Sequence, residues 1–103
     1  MKYPQYRQGD VLLVRVHRIL TAAKIVSEKV LVLAEGEVTG HAHRIVNDDA
    51  VMLTTAEGAT FVRLAKRAQL VHEEHARIDI APGTYRVVRQ REYEPAGIRR
   101  VSD

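Results

Sequence analysis

Turn signals interrupt this chain so often that few folds are open to it. Past Gln8-Gly9-Asp10 they recur at Glu35-Gly36-Glu37 with Gly40, Asn47-Asp48-Asp49, Glu57-Gly58, Lys66-Arg67, Glu73-Glu74 and Pro82-Gly83, about seven to eleven residues apart. Short Val-, Ile-, Leu- and Tyr-rich segments lie between them: 11–16, 30–33, 43–46, 51–55, 60–64, 68–72, 76–80 and 84–93. Parallel sheets need helical crossovers, for which this spacing leaves no room. The pattern therefore predicts an all-β domain, one antiparallel β-barrel or sandwich over residues 1–103. Pro82-Gly83 suits the central positions of a type II turn and predicts a hairpin over 78–88. Residues 19–28 fit neither the strand nor the helix period and are expected to be irregular.

Composition narrows the chemistry. The 103 residues include no cysteine, which excludes disulfides, thiolate metal sites and cysteine nucleophiles, so any metal must be held by His, Asp or Glu. Sixteen basic residues face thirteen acidic ones, interleaved along the chain, for a net charge of +3. No apolar run is long enough for a membrane helix, and Met1–Arg7 has no hydrophobic signal core. A soluble cytoplasmic protein is expected.

Four of the five histidines fall in two pairs, His41/His43 and His72/His75. In Gly40-His41-Ala42-His43 the imidazoles are two residues apart, so on a strand both point to one face, which is how a strand offers two ligands to one ion. Neutral imidazole binds Zn, Fe, Ni or Mn. His72 shares the inward parity of Ala68 and Leu70 and is the natural third ligand. His75 groups with Arg77 and Asp79 on the solvent side and is a weaker one. Glu73 or Glu74 offers a carboxylate ligand or a general base. The His72-Glu73-Glu74-His75 spacing is not the zinc-protease signature, which needs histidines four apart on a helix. Two other readings stand beside metal binding: histidines satisfied within an ordinary barrel, and a proton-sensitive patch tuned by Glu73, Glu74 and Asp48.

Gly36, the His41-x-His43 pair and Asp48 resemble the first motif of the cupins, small β-barrels that hold a metal with two histidines, a glutamate and a later histidine. The resemblance implies His41 and His43 as paired ligands, Asp48 in the glutamate's place and His72 or His75 as the distal histidine. The chain departs from that pattern in the glycine spacing, in Asp for Glu, and in carrying both later histidines upstream of Pro82-Gly83. The strings QGDVLLVRV, EGEVTGHAH and YRVVRQREYEP resemble small bacterial proteins without assigned function.

Gln8-Gly9-Asp10 ahead of Val11–Val16 resembles the turn leading into the first strand of many small barrels, co-chaperonins included, and reads as structure. Tyr85, Val87, Arg89, Arg91 and Tyr93 share one strand parity and form the nearest thing here to a base-stacking surface; a strand whose tyrosines close the core is the favoured reading. The sequence thus predicts a metal-binding barrel with His41, His43, His72, His75 and Asp48 as candidate ligands to a divalent transition ion. If the ion keeps an open position, Glu73 or Glu74 would relay protons for a metal-dependent reaction on a small molecule. The alternatives are a protein-interaction module that pairs with a partner or with itself through an edge strand, and, less favoured, a single-stranded nucleic-acid binder.

Overall fold

The computed structural model describes residues 5–35 and 40–90. Eight strands follow one another: β1 (Gln5–Gln8), β2 (Val11–Val16), β3 (Ala23–Glu35), β4 (Ala42–Thr55), β5 (Thr60–Leu64), β6 (Ala68–Val71), β7 (Ile78–Ile80) and β8 (Gly83–Arg89). All pairings are antiparallel, in the order β1-β2-β8-β5-β4-β6-β7, with β3 along the other edge of β4. The result is an all-β, nearly closed barrel. No helix among the described residues is long and apolar enough to cross a membrane.

Alternation along the strands builds the core. Val11 and Leu13 of β2, Leu31 and Leu33 of β3, Ile45 of β4, Val62 and Leu64 of β5, Leu70 of β6, Ile80 of β7 and Tyr85 of β8 are almost wholly buried and belong to one cluster. The barrel's seam lies between β1 and β7, whose main chains do not pair. Side chains bridge it instead. The Gln8 amide donates to Leu70 O (3.1 Å) and Ala76 O (2.9 Å), and Ala81 N donates to the Tyr6 hydroxyl (3.3 Å).

Three expectations need correction. Residues 43–46 and 51–55 belong to one strand, β4, and Asn47-Asp48-Asp49 marks a change of partner along it. Before that point β4 pairs with β6, and after it with β5. There Asn47 Oδ1 accepts the Asp49 N–H (2.8 Å), and Asn47 Nδ2 donates to Arg67 O (3.2 Å). Asn and Asp can satisfy a local kink as well as a chain reversal.

The stretch 19–28, expected to be irregular, enters β3 at Ala23. Register shifts at Ile25/Ser27, Glu28/Val30 and Val32/Ala34, with Lys29 at φ 71°, break the two-residue alternation and conceal the part of the strand before the expected segment 30–33.

The hairpin expected over 78–88 does not form. β7 pairs with β6, whereas β8 runs between β2 and β5. Pro82-Gly83 is a corner between them. Tyr85 holds it by donating its hydroxyl proton to Ala81 O (2.7 Å), four residues upstream. Gly83, at φ +151°, lies so close to Arg15 that a Cβ there would sit 2.5 Å from its guanidinium.

Candidate metal centre

The chain brings its imidazoles together at the end of the barrel where the β1–β2 turn meets the loop between β6 and β7. His43 is the second residue of β4, turned inward and 3% exposed. His72 follows the last residue of β6, and His75 lies in the same loop. One ligand nitrogen from each of His43, His72 and His75 lies within 4.8 Å of the other two. Ring centroids are 4.3 Å apart for His43–His72, 4.6 Å for His72–His75 and 5.6 Å for His43–His75.

The shell around His43 settles which nitrogen carries its proton. Gln8 is buried, and its amide nitrogen faces two backbone carbonyls, groups that only accept. Its Oε1 is therefore the atom 2.8 Å from His43 Nδ1, and it must receive a proton from the ring. Neutral His43 is held as the Nδ1–H tautomer, with the Nε2 lone pair directed away from Gln8. A hydrogen-bonded outer partner of this kind orients metal-ligating histidines.

Gly9 makes the room. A Cβ on it would fall 2.7 Å from His75 Nε2 and 3.3 Å from His43 Cε1, and its φ of +58° disfavours side chains in any case. A positive φ at the first of two loop residues is what a type II′ hairpin turn uses, and Gln8↔Val11 is the pair it closes. The next residue, Asp10, places Oδ1 3.6 Å from His43 Nε2.

His72 has a different constraint: its Nδ1 accepts the Glu74 backbone N–H (3.0 Å). In the neutral ring the proton then sits on Nε2, so His72 offers a lone pair to an ion only by giving up that bond. The cost is about 1 kcal/mol. Structural zinc sites supply roughly 10 to 16 kcal/mol, so the bond does not decide the outcome.

The other candidates lie around this group. His41 precedes β4, half-buried, with its ring centroid 5.9 Å from that of His72 in an edge-on contact. Its Nδ1 comes within 3.1 Å of Glu74 Oε2, off the direction needed for a hydrogen bond. His41 and His43 thus both face His72, but only His43 falls within the close nitrogen group. His75, grouped by parity with the solvent side, is exposed, and its loop folds Nε2 over Gly9. Asp48 is exposed on β4, five residues beyond His43, about 16 Å at the rise of an extended strand.

Glu73 serves as a clamp. Its carboxylate accepts Ala42 N–H (2.9 Å) and the Arg44 guanidinium (2.8 Å). These bonds, Arg44 first, hold its pKa down at about 2. A carboxylate held in this way has little tendency to take up a proton near neutrality. It ties the start of β4 to the histidine loop. Tyr85, from the face read as a base-stacking surface, is fully buried and has no ring face free for a base; Arg91 and Tyr93 lie outside the described residues.

Gln8 and Asp10, read from the sequence as parts of a structural turn, were not among its candidate site residues. A signal was present for Gln8. With a two-residue turn, Gln8 must pair with Val11, cross-strand partners share a face, and Val11 faces the core. A glutamine on a core face calls for a buried partner.

The family described as a domain of unknown function (DUF8820) matches residues 7–90, which takes in every residue of this group. No curated protein and no solved structure matches the chain.

Proposed function

The chain belongs to the DUF8820 family, and we propose that it is a metal-binding β-barrel domain holding one divalent transition ion through His43, His72 and His75. One observation carries this reading: three imidazole nitrogens from stretches thirty residues apart in sequence lie within 4.8 Å of one another. Imidazole donors favour Zn, Ni, Cu or Fe over Mg or Ca. The Gln8–His43 bond supports it by leaving the Nε2 of neutral His43 as the ring's unprotonated nitrogen, and Gly9 supports it by having no side chain where His75 Nε2 and His43 Cε1 approach.

The test is metal analysis of protein purified without a histidine tag, followed by competition for Zn²⁺ against a chromophoric chelator. About one ion per chain is expected, with loss of binding in the double variant His43→Ala/His72→Ala and weakening as pH falls through about 6.5, where imidazoles protonate. A chain that takes up no zinc, nickel or cobalt at neutral pH would end the proposal.

A second reading, self-association through β3, rests on a separate observation. β3 is paired only with β4 among the described residues, and Ile25, Val26, Val30 and Val32, with Val46 opposite Val30, are exposed. An edge strand with apolar side chains is a template for another copy. Concentration-dependent mass by light scattering, abolished by Val30→Lys with Val46→Lys, is the expected result; a monomer at all concentrations would remove this reading.

A further inference from the structure

We infer that Asp10 is the fourth ligand of this centre, so that the ion is closed off by protein and acts as a clasp across the barrel's seam. The inference rests on the metal reading above and deepens it. Asp10 Oδ1 lies 3.6 Å from His43 Nε2. Four ligands at zinc bond lengths of 2.0 to 2.1 Å in tetrahedral array stand about 3.3 Å from one another. Asp10 is already near that separation from His43 but stands outside the close histidine group, so its carboxylate has to turn toward His72 and His75 as the three nitrogens draw in from at most 4.8 Å.

Two other carboxylates, Glu73 and Glu74, flank the histidine loop. Both oxygens of Glu73 are engaged, one by Ala42 N–H and one by Arg44. Glu74 Oε2 lies 3.1 Å from His41 Nδ1, beside the histidine that stands outside the close group. Asp10 is held from both directions along the chain: its carbonyl accepts Gln90 N–H (3.0 Å), and the residue two before it is Gln8, fixed to Leu70 O and Ala76 O. Its carboxylate is thus presented by a pinned turn.

This ligand set has a structural consequence. Asp10 comes from the turn beside β1, and His72 and His75 from the loop leading into β7, the two strands whose main chains do not pair. An ion bound by all of them, with His43 from β4, ties together the edges that the barrel otherwise joins only by side chains. Structural zinc sites are closed in this way, whereas catalytic ones keep a position for water.

Cobalt reports the difference. With Co²⁺ bound to the full chain, the visible spectrum should be that of a four-coordinate ion and constant between about pH 7 and 9, because no bound water is present to ionise near neutrality. In Asp10→Ala and Asp10→Asn, with unchanged far-ultraviolet dichroism, water takes the fourth place and the spectrum should acquire a pH dependence. Zn²⁺ affinity should fall about a hundredfold or more, and most of the rise in melting temperature on adding zinc should be lost. A wild-type cobalt spectrum that titrates in that range overturns the inference without any variant. So does zinc affinity in both Asp10 variants equal to the wild type; the histidine triad would then stand without its clasp. Failure of the wild type to bind any metal would instead remove the triad reading itself, and this one with it.

Discussion

Replacing Gln8 by Ala tests the arrangement of the centre most directly, because one side chain makes three buried or partly buried hydrogen bonds at the seam. The variant keeps the strand and the turn but leaves Leu70 O and His43 Nδ1–H without their partner, while the Ala76 carbonyl is near enough to the surface to find water. An unsatisfied buried polar group costs about 1 to 3 kcal/mol, so two of them give roughly 2 to 6 kcal/mol. Domains of this size have about 5 to 15 kcal/mol in all. At about 4 to 8 °C per kcal/mol, the metal-free melting temperature should fall by about 8 °C or more. Separately, His43 loses the bond that fixes its tautomer, and Zn²⁺ affinity should weaken by about 10- to 100-fold. Urea unfolding followed by circular dichroism in chelator reads the first effect, and chelator competition reads the second. Gln8→Leu fills the volume but restores no bond, and should behave like Gln8→Ala in both. A loss below about 0.5 kcal/mol with unchanged zinc affinity would refute the claim that Gln8 orients His43 and bridges the seam.

The remaining predictions concern neighbouring groups. Gly9→Ala should cost about 1 to 2 kcal/mol from its positive φ and abolish metal binding, since the new Cβ occupies the space beside His75 Nε2; titration calorimetry showing wild-type affinity would contradict the placement of that ring. Glu73 has its carboxyl pKa lowered to about 2 from an ordinary 4.5, so its contribution to stability is present above about pH 4.5 and is lost as pH falls towards 2. Glu73→Gln should flatten the fall in melting temperature over that interval, and an unchanged acid profile would mean the clamp is not formed in solution. Tyr85→Phe removes the hydroxyl that holds Ala81 O and should destabilise the domain by about 1 kcal/mol in urea unfolding. Burial raises the Tyr85 pKa to about 12 from 10, so the wild type should lose stability as pH rises from 10 towards 12, and Tyr85→Phe should lose less.

Much of the barrel can be read locally. β2, β5 and β6 stand within a residue of their expected spans, because a run such as Val11–Val16 between turn signals needs only the two-residue alternation to declare itself. The strand whose first half the pattern concealed, β3, is the one whose bulges shift register three times, and the one that the pattern split, β4, changes partner at its Asn-Asp kink. Neither event leaves a periodic trace. Residues 5–8 form β1, which carries too few apolar residues to register as a strand alone and is recruited by pairing with β2.

At the centre, the chain by itself determined that imidazoles are available in two clusters, that no thiol competes with them, and that a glycine turn precedes Val11–Val16. Only the tertiary structure decided that His43, His72 and His75 form the close group, that His41 stands at its edge, and that Gln8 and Asp10 reach it from 35 and 33 residues away. The reason is that periodicity reports which face of its own strand a side chain takes, whereas a site is set by which strand ends meet. That meeting follows from register, bulges and barrel closure, which depend on the whole sheet.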